Sequence, residues 1–344
     1  MEELHIWFKE NQRSFPWRER RDPYRVWISE VMLQQTRSSV VVPYFLRWMK
    51  QFPDVATLAN ASLETVIKAW EGLGYYSRAR NLHQGAQQML SFFDGKIPHS
   101  KEELMKIKGL GPYTTGAILN FGFYQKAAAV DGNVARVISR YFAIAENICK
   151  TAARRKIEEK TVALLDEKQP WVTSEALIEL GATVCLPKPR CEQCPLQPRC
   201  LAFKRGIAHD LPIKNKETST TLLTRVVVVI EAAGSILIRK EKPGKVMADL
   251  YEFPYFAEKD PSFWRVRHMI RNLKKLFGMD LKYVQFLGEV THTFTRYKAR
   301  LFPYLLKAAA PIPVDGSIWM SRDCLQELPF SAGHRKILHR YEQV

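Results

Sequence analysis

Four cysteines, Cys185, Cys191, Cys194 and Cys200, fall within sixteen residues in the spacing C-x5-C-x2-C-x5-C. Thiolates are soft ligands, and four so close together suit an iron–sulfur cluster or a tetrahedral zinc. Zinc modules more often pair two C-x2-C knuckles across a longer spacer, whereas one compact run suits a cubane cluster. Pro187, Pro189, Pro195 and Pro198 keep the segment out of helix and strand, so it reads as a loop around a metal. A disulfide knot is disfavoured because disulfides suit small secreted chains. Two carboxylates also invite chemistry. Glu30 lies in WISEVMLQQT with apolar residues on both sides, where burial should raise its pKa and keep it protonated until used. Asp131, in VDGNVAR, is placed to cap a helix, and with the helix N-terminus and Asn133 beside it should stay ionised. In IKGLGPYTTGAI, residues 107–118, Gly109 and Gly111 flank Leu110. Glycines there let the backbone approach a phosphate, with amide groups and the following helix N-terminus aimed at it; Lys108 adds charge.

The elements that must position these residues change character along the chain. Apolar residues recur at helical spacing in VWISEVMLQQT, LETVIKAWEGL, ARNLHQGAQQML and SEALIELGATVC, so residues 1–205 read as helical. Residues 206–221, polar and basic with no apolar period, read as a linker. Residues 222–344 read as a smaller α+β domain. In it, RVVVVIEAAGSILIRK forms two strands about a glycine turn, a helix ends at Gly278, and FLGEVTHTFTRYKARLFPYLLKA forms paired strands.

The chain has 344 residues, with 52 Lys and Arg against 35 Asp and Glu, a formal charge of +17. That length supports two cores, and that excess favours a polyanionic partner. No apolar run is long enough to span a membrane, and the N-terminus lacks a secretory pattern. Metal-ligating thiols then imply a reducing, cytoplasmic setting. Cys149 and Cys324 read as ordinary buried thiols.

Taken together, PWR (16–18), DPYRVWISEVMLQQT (22–36), GLGYYSRARNLH (72–83), KGLGPYTTGAI (108–118), VDGNVARV (130–137), ELGATVC (179–185) and the cysteine run resemble the helix-hairpin-helix DNA glycosylases. Within them the likeness is to the MutY family, which removes adenine mispaired with 8-oxoguanine. The resemblance implies an α-helical catalytic domain over 1–205, with a six-helix barrel and a second lobe holding a 4Fe–4S cluster in the 185–200 loop. It also implies a MutT-like (Nudix) lesion-recognition domain over 222–344. The helix WRVRHMIRNLKKLFG lacks the glutamates a Nudix hydrolase needs, so that domain is expected to bind rather than hydrolyse.

Breaking an N-glycosidic bond requires protonation of the leaving base and support for the positive charge on the sugar. By resemblance, Glu30 protonates N7 of adenine and later activates water, and Asp131 supports the oxocarbenium ion. Tyr113 stands where the related lyases carry a lysine, so the enzyme is expected to be monofunctional, with Tyr113 bonded to Asp131 or the sugar. Gln35 and Tyr75 match wedge residues that fill the gap left by a flipped base, with Gln34 and Thr36 alongside. Arg18 and Glu175 match the adenine pocket, and Arg78 and Arg80 read as phosphate contacts. Lys188, Arg190 and Arg199 make the cysteine loop a clip presenting positive charge to DNA; its first spacer is one residue shorter than usual for the family.

Where the family reads 8-oxoguanine through Phe-Ser-His, this chain has Phe294, Thr295 and Arg296. The expected partner is therefore duplex DNA with adenine opposite 8-oxoguanine or guanine, with the preference for the oxidised base reduced but present. The family default is a monomer, and a clamp or mismatch-repair contact is also implied. Two other readings compete. An endonuclease III-like enzyme would need the lysine absent at Tyr113, and a catalytically silent iron–sulfur DNA binder would not need both Glu30 and Asp131.

Overall fold

The computed structural model describes residues 1–215, 220–242, 244–257, 265–294 and 296–344. Its contacts divide the chain into two compact units, Met1–Asn60 with Asn81–Glu217, and Ala61–Arg80 with Thr218–Val344. The helices are α1 (Glu2–Asn11), α2 (Pro16–Glu19), α3 (Pro23–Leu33), α4 (Ser38–Gln51), α5 (Val55–Asn60), α6 (Leu63–Ala69), α7 (Ser77–Phe93), α8 (Lys101–Leu104), α9 (Pro112–Ala117), α10 (Gly132–Tyr141), α11 (Thr151–Leu164), α12 (Pro170–Thr183) and α13 (Leu201–Lys204), followed by α14 (Val266–Phe277) and α15 (Ala332–Glu342).

The first unit is helical, as its apolar spacing predicts. One group of helices packs about large aromatics, with Trp17 edge-on to Phe45 at 5.6 Å and Trp48 against Phe52 at 4.8 Å. Burying a large apolar side chain contributes about 1.5–3 kcal/mol, so these rings anchor the group. A second core joins α1, α10, α11 and α12 through Leu4, Phe8, Val137, Ile138, Ile157, Leu177 and Leu180. Helix α3 starts where Asp22 accepts the Arg25 amide at 2.9 Å and Pro23 occupies the first turn.

Residues 206–215 are not the free linker their polarity predicts. Ala208 and Leu211 are buried against Cys191 and Cys200, Arg140 Nε donates to the Leu211 carbonyl at 2.9 Å, and the Ile148 amide donates to Ile213 at 3.0 Å. A few apolar residues at irregular spacing suffice to dock a loop without making a periodic pattern.

The second unit contains a mixed sheet of strands β1 (Thr221–Ala232), β2 (Ser235–Lys240), β3 (Tyr251–Glu252), β4 (Tyr255–Ala257), β5 (Leu281–Phe286), β6 (Val290–Phe294), β7 (Tyr297–Ala308) and β8 (Ile318–Ser321). Its main order is β3-β2-β1-β7-β5, and β1 runs parallel to β7 with Val227 opposite Pro303. The run VVVVI in β1 is buried on both faces: Val227 and Val229 pack with Ile337 and Leu338 of α15, Val226 and Val228 with Met269 and Leu273 of α14. Gly278 closes α14 with φ of 69°, the left-handed conformation that glycine accepts without strain. Residues 61–80, helical in pattern, group with this unit.

Candidate active site

A cleft of about 1060 Å³ opens within the first unit, lined by Arg18, Ser29, Glu30, Gln34, Gln35, Thr36, Tyr113, Asp131, Asn133 and Glu175. It brings together Glu30 from α3 and Gln34 just past its end, Tyr113 from α9, Asn133 from α10 capped by Asp131, and Glu175 from α12. These positions lie up to 157 residues apart in the chain (Arg18 to Glu175), so only the packing of the helices assembles them.

Glu30 is 7% exposed in the middle of α3, flanked by buried Ser29 and Val31. Burial pushes its carboxyl up to about 7; the neighbouring Asp131 and Glu175 push the same way, while the Tyr113 hydrogen bond and Arg18 oppose it. The Tyr113 hydroxyl donates to Glu30 Oε2 rather than to Asp131, one of the two partners, Asp131 or the sugar, that the sequence suggests. Tyr113 is one residue into α9 and α9 packs on α3, which aims its ring across at the mid-helix carboxylate. Burial and Glu30 hold the Tyr113 hydroxyl well above its ordinary pKa, so it serves as a donor and keeps its proton. With Oε2 occupied, Oε1 is left to carry the carboxyl proton.

Asp131 caps α10. Its Oδ1 accepts from the amides of Asn133 at 2.8 Å and Val134 at 2.7 Å, and its Oδ2 from Asn133 Nδ2 at 2.8 Å. Burial nonetheless raises its pKa above the ordinary carboxylate value, opposed by those three hydrogen bonds and by Arg136. The direction is the reverse of the simple expectation for a capped carboxylate. Arg136 fixes the amide of Asn133 by donating to its Oδ1 at 2.9 Å, and also donates to the carbonyls of Gly181 at 2.7 Å and Cys185 at 2.7 Å. A Cβ on Gly181 would come 2.6 Å from Asn133 Cβ, so glycine is what allows α12 to approach the cap.

Along one wall of the cleft runs a charge network that the sequence alone did not reveal. Glu175 pairs with Arg18 at 3.4 Å and Arg21 at 2.7 Å; Glu179, whose side chain is fully buried, pairs with Arg18 at 3.1 Å and also with Arg13. Glu175 and Glu179 are four residues apart on α12 and share one helix face. Two acids at that spacing within SEALIELGAT were the available clue. Gln34 Nε2 donates to Thr114 at 3.4 Å and Thr36 to the Gln34 carbonyl at 3.3 Å, which ties this end of α3 to α9. Gln35 is exposed in the left-handed conformation, with φ of 57°. A non-glycine residue held there stores strain of about 1–3 kcal/mol, a feature that clusters at functional sites.

The hairpin residues lie outside that cleft. Gly109 has φ of 84° and a Cβ there would meet Asn81 at 2.6 Å; Gly111, the N-cap of α9, has open space where a Cβ would point. Lys108 is exposed beside them, its amide donating to Gln88 at 2.6 Å. The turn therefore combines open space at Gly111 with an exposed cation at Lys108.

Cys185, Cys191, Cys194 and Cys200 line one cavity with Val137, Leu180, Val184 and Leu196, and none is in a disulfide. Arg140 lies against it, donating to Cys185 Sγ at 3.3 Å and to the carbonyls of Leu186 at 2.6 Å and Pro187 at 2.9 Å. Among the described residues no group of three or more His, Cys, Asp or Glu is arranged to hold a single metal ion. The other two thiols correct the sequence reading: Cys149 and Cys324 are exposed. Cys149 sits in a turn before α11, and next to Cys324 it is Leu325 that takes the inward position.

Tyr75 and Phe294 belong to the second unit, and Thr295 lies outside the described residues. Tyr75 is 40% exposed with φ of 47°. Phe294 ends β6 and packs against Tyr297 at 5.5 Å, while Arg296 Nη2 donates to the Tyr297 hydroxyl at 3.1 Å. Arg78 and Arg80 do not stand free for phosphates. Arg78 is buried and donates to the carbonyls of Leu73 and Gly74, both at 3.1 Å; Arg80 donates to Ala248 at 3.0 Å and pairs with Asp249 at 3.3 Å. An arginine reads alike in sequence whether it faces solvent or internal carbonyls.

Residues 28–162 match the HhH-GPD superfamily base excision DNA repair protein family, and residues 225–340 match the NUDIX domain family. The adenine DNA glycosylase of Homo sapiens is 30% identical over 98% of this chain and 73% of its own length; that of Mus musculus is 31% identical over 98% and 77%. Among solved structures, a thermostable thymine-DNA glycosylase superposes with a TM-score of 0.54 at 25% identity, covering 59% of this chain and 94% of its own. An endonuclease III–DNA complex shares the fold, with a TM-score of 0.51 at 22% identity over 60% of this chain and 94% of that one. No helix among the described residues is long and apolar enough to cross a membrane. With a helical glycosylase fold, two carboxylates facing one cleft and relatives aligned along nearly its whole length, the chain belongs to the adenine DNA glycosylase (MutY) family of the HhH-GPD superfamily, carrying a NUDIX domain after its catalytic unit.

Proposed function

We infer that this chain is a monofunctional adenine DNA glycosylase of base excision repair, acting on adenine opposite 8-oxoguanine or guanine in duplex DNA. The observation that carries the reading is the pair of unlike carboxylates in one cleft, Glu30 with its pKa raised to about 7 and Asp131 held by three donors. A flipped adenine entering the cleft meets Glu30 Oε1, which delivers its proton to N7 and weakens the glycosidic bond. Asp131 supports the cationic sugar as the base departs, and Glu30, now ionised, takes a proton from the attacking water. Arg18 and Glu175 shape the adenine pocket, and by family resemblance Gln35 and Tyr75 each serve as wedge residues towards DNA.

The place next to Glu30 is held by a tyrosine hydroxyl rather than an amine, so no Schiff base forms there and the product is an abasic site. Four thiols around one largely apolar cavity fit a 4Fe–4S cluster, which Cys185, Cys191, Cys194 and Cys200 would hold. When bound, such a cluster would supply a structural cross-link, while Arg140 holds the loop carbonyls and Lys188, Arg190 and Arg199 carry positive charge towards DNA. In the NUDIX domain α14 has no carboxylate, so the domain binds the lesion strand rather than hydrolysing a nucleotide. Phe294 and the Thr295 hydroxyl read 8-oxoguanine, and Arg296 in place of the family's histidine reduces the preference over guanine.

The test is single-turnover adenine release from duplexes bearing adenine opposite 8-oxoguanine, with and without alkali, for the wild type and Glu30→Gln. Alkali-dependent strand breaks lost in the variant support the reading. Tight binding without base release would replace it with a silent binder, and a borohydride-trapped adduct lost in Lys108→Ala would overturn the monofunctional assignment.

A further inference from the structure

Residues 61–80 and the NUDIX strands form one compact body, so Tyr75 and the β6–β7 hairpin ending at Phe294 are held by a common frame. The loop carrying Tyr75 is bonded within itself. Trp70 Nε1 donates to the Gly74 carbonyl at 3.1 Å, the Gly72 amide donates to the Tyr76 hydroxyl at 3.2 Å, and the Arg78 guanidinium lies over the rings of Trp70 at 5.1 Å and Tyr75 at 5.7 Å. Such bracing is what a left-handed tyrosine needs to persist.

The loop is tied to the frame through Glu71. This carboxylate accepts from Arg335 Nε at 2.7 Å and Nη2 at 3.0 Å, from the Phe330 amide at 3.1 Å and from Lys68 Nζ at 2.9 Å. An acid just past the C-terminus of α6 is disfavoured by the helix dipole, so its partners, not its own helix, account for its place. Arg335 belongs to α15, and the same helix grips the hairpin: Lys336 Nζ donates to the Thr291 carbonyl at 3.4 Å, and Arg340 Nη1 to Leu287 at 2.9 Å and Glu289 at 3.1 Å. One helix thus holds the Tyr75 loop at one place and the strand leading to Phe294 at another.

We propose that Glu71 and Arg335 are positioning residues for lesion specificity, fixing the spacing between Tyr75 and the Phe294 hairpin through α15 so that wedge insertion and lesion reading act together. This rests on the reading above of Tyr75 and Phe294 as DNA-facing. The bidentate geometry gives the pair directional stiffness that a lone ammonium would not.

Single-turnover adenine release at saturating enzyme, on duplexes with adenine opposite 8-oxoguanine and opposite guanine, tests this in the full chain. In Glu71→Gln and in Arg335→Met the ratio of the two rates falls about tenfold, with the guanine-duplex rate changed by less than about twofold. The charge-swapped double variant, Glu71→Arg with Arg335→Glu, recovers part of the ratio. Tyr75→Ala lowers the ratio too, and adding Glu71→Gln to it brings no further loss. An unchanged ratio in Glu71→Gln, full additivity with Tyr75→Ala, or equal slowing on both duplexes in step with a lowered melting midpoint would overturn the proposal. A wild type that treats both duplexes alike would remove the lesion reading itself, and the role of the pair with it.

Discussion

The two walls of the cleft carry the same functional group in opposite settings. Glu30 stands mid-helix in α3, where the backbone amides around it are spent on the helix and the Tyr113 hydroxyl donates to it. Asp131 stands at the start of α10, where the first amides have no helical partner, and it accepts two of them together with the Asn133 side chain. Burial raises both, yet three donors oppose the rise on one wall and one donor on the other. Position along a helix, rather than residue type, therefore decides how many donors oppose the rise at each carboxyl.

The comparison breaks most sharply at Glu30. Glu30→Gln keeps the shape and removes the acid, so single-turnover adenine release should fall by about 10²–10⁴-fold. The same change should stabilise the fold in alkaline buffer. The folded carboxyl is raised from 4.5 to about 7, so the stability it contributes is fully present below about 4.5 and is lost as the pH rises through about 7. Thermal melts from pH 5 to 8 should show the wild type losing stability relative to the variant, by on the order of 1–3 kcal/mol. Melts that stay parallel would mean that Glu30 is not a buried acid.

Asp131→Asn tests the other wall without removing the cap, because asparagine caps helices as well as aspartate. Adenine release should drop by about 10²-fold, with a small change in melting midpoint. A large loss of stability with little loss of rate would assign Asp131 to the helix alone.

Two smaller changes sharpen the contrast. The wild-type rate should decline above about pH 7, where Glu30 has lost its proton. Tyr113→Phe removes the donor that favours the ionised form, so this limb should move to higher pH, and a limb that stays in place would deny the coupling. Asn133→Ala removes one of the three donors to Asp131 and should move the acidic limb upward, with a rate loss of only about 2–5-fold.

These expectations differ in how far they could be read without coordinates. The cap at Asp131, the turn at Gly109 and the stop at Gly278 depend on residues within three or four positions, and local chemistry dictates them. The cysteine run is local too, since its thiols are brought close by their spacing in the chain alone. The contact of Tyr113 with Glu30 was not legible, because α3 and α9 meet only in the folded unit. Arg78, Arg80, Cys149 and Cys324 were misread for a related reason: a single polar or sulfur-bearing residue carries no period that shows which way it faces. Glu179 and its arginines lay within recognisable motifs, but their pairing spans more than 160 residues of chain.

By itself the sequence determined the helical character of residues 1–205, the α+β character of residues 222–344, the thiol cluster, the glycine turn and the two carboxylates, because each is specified by neighbours along the chain. Only the tertiary structure decided that Tyr113 answers Glu30, that Arg13, Arg18 and Arg21 neutralise the acids of α12, and that residues 61–80 join the NUDIX strands through Glu71. Those contacts join residues far apart in the chain, and their geometry is set by how packed surfaces exclude water and leave each buried charge a partner.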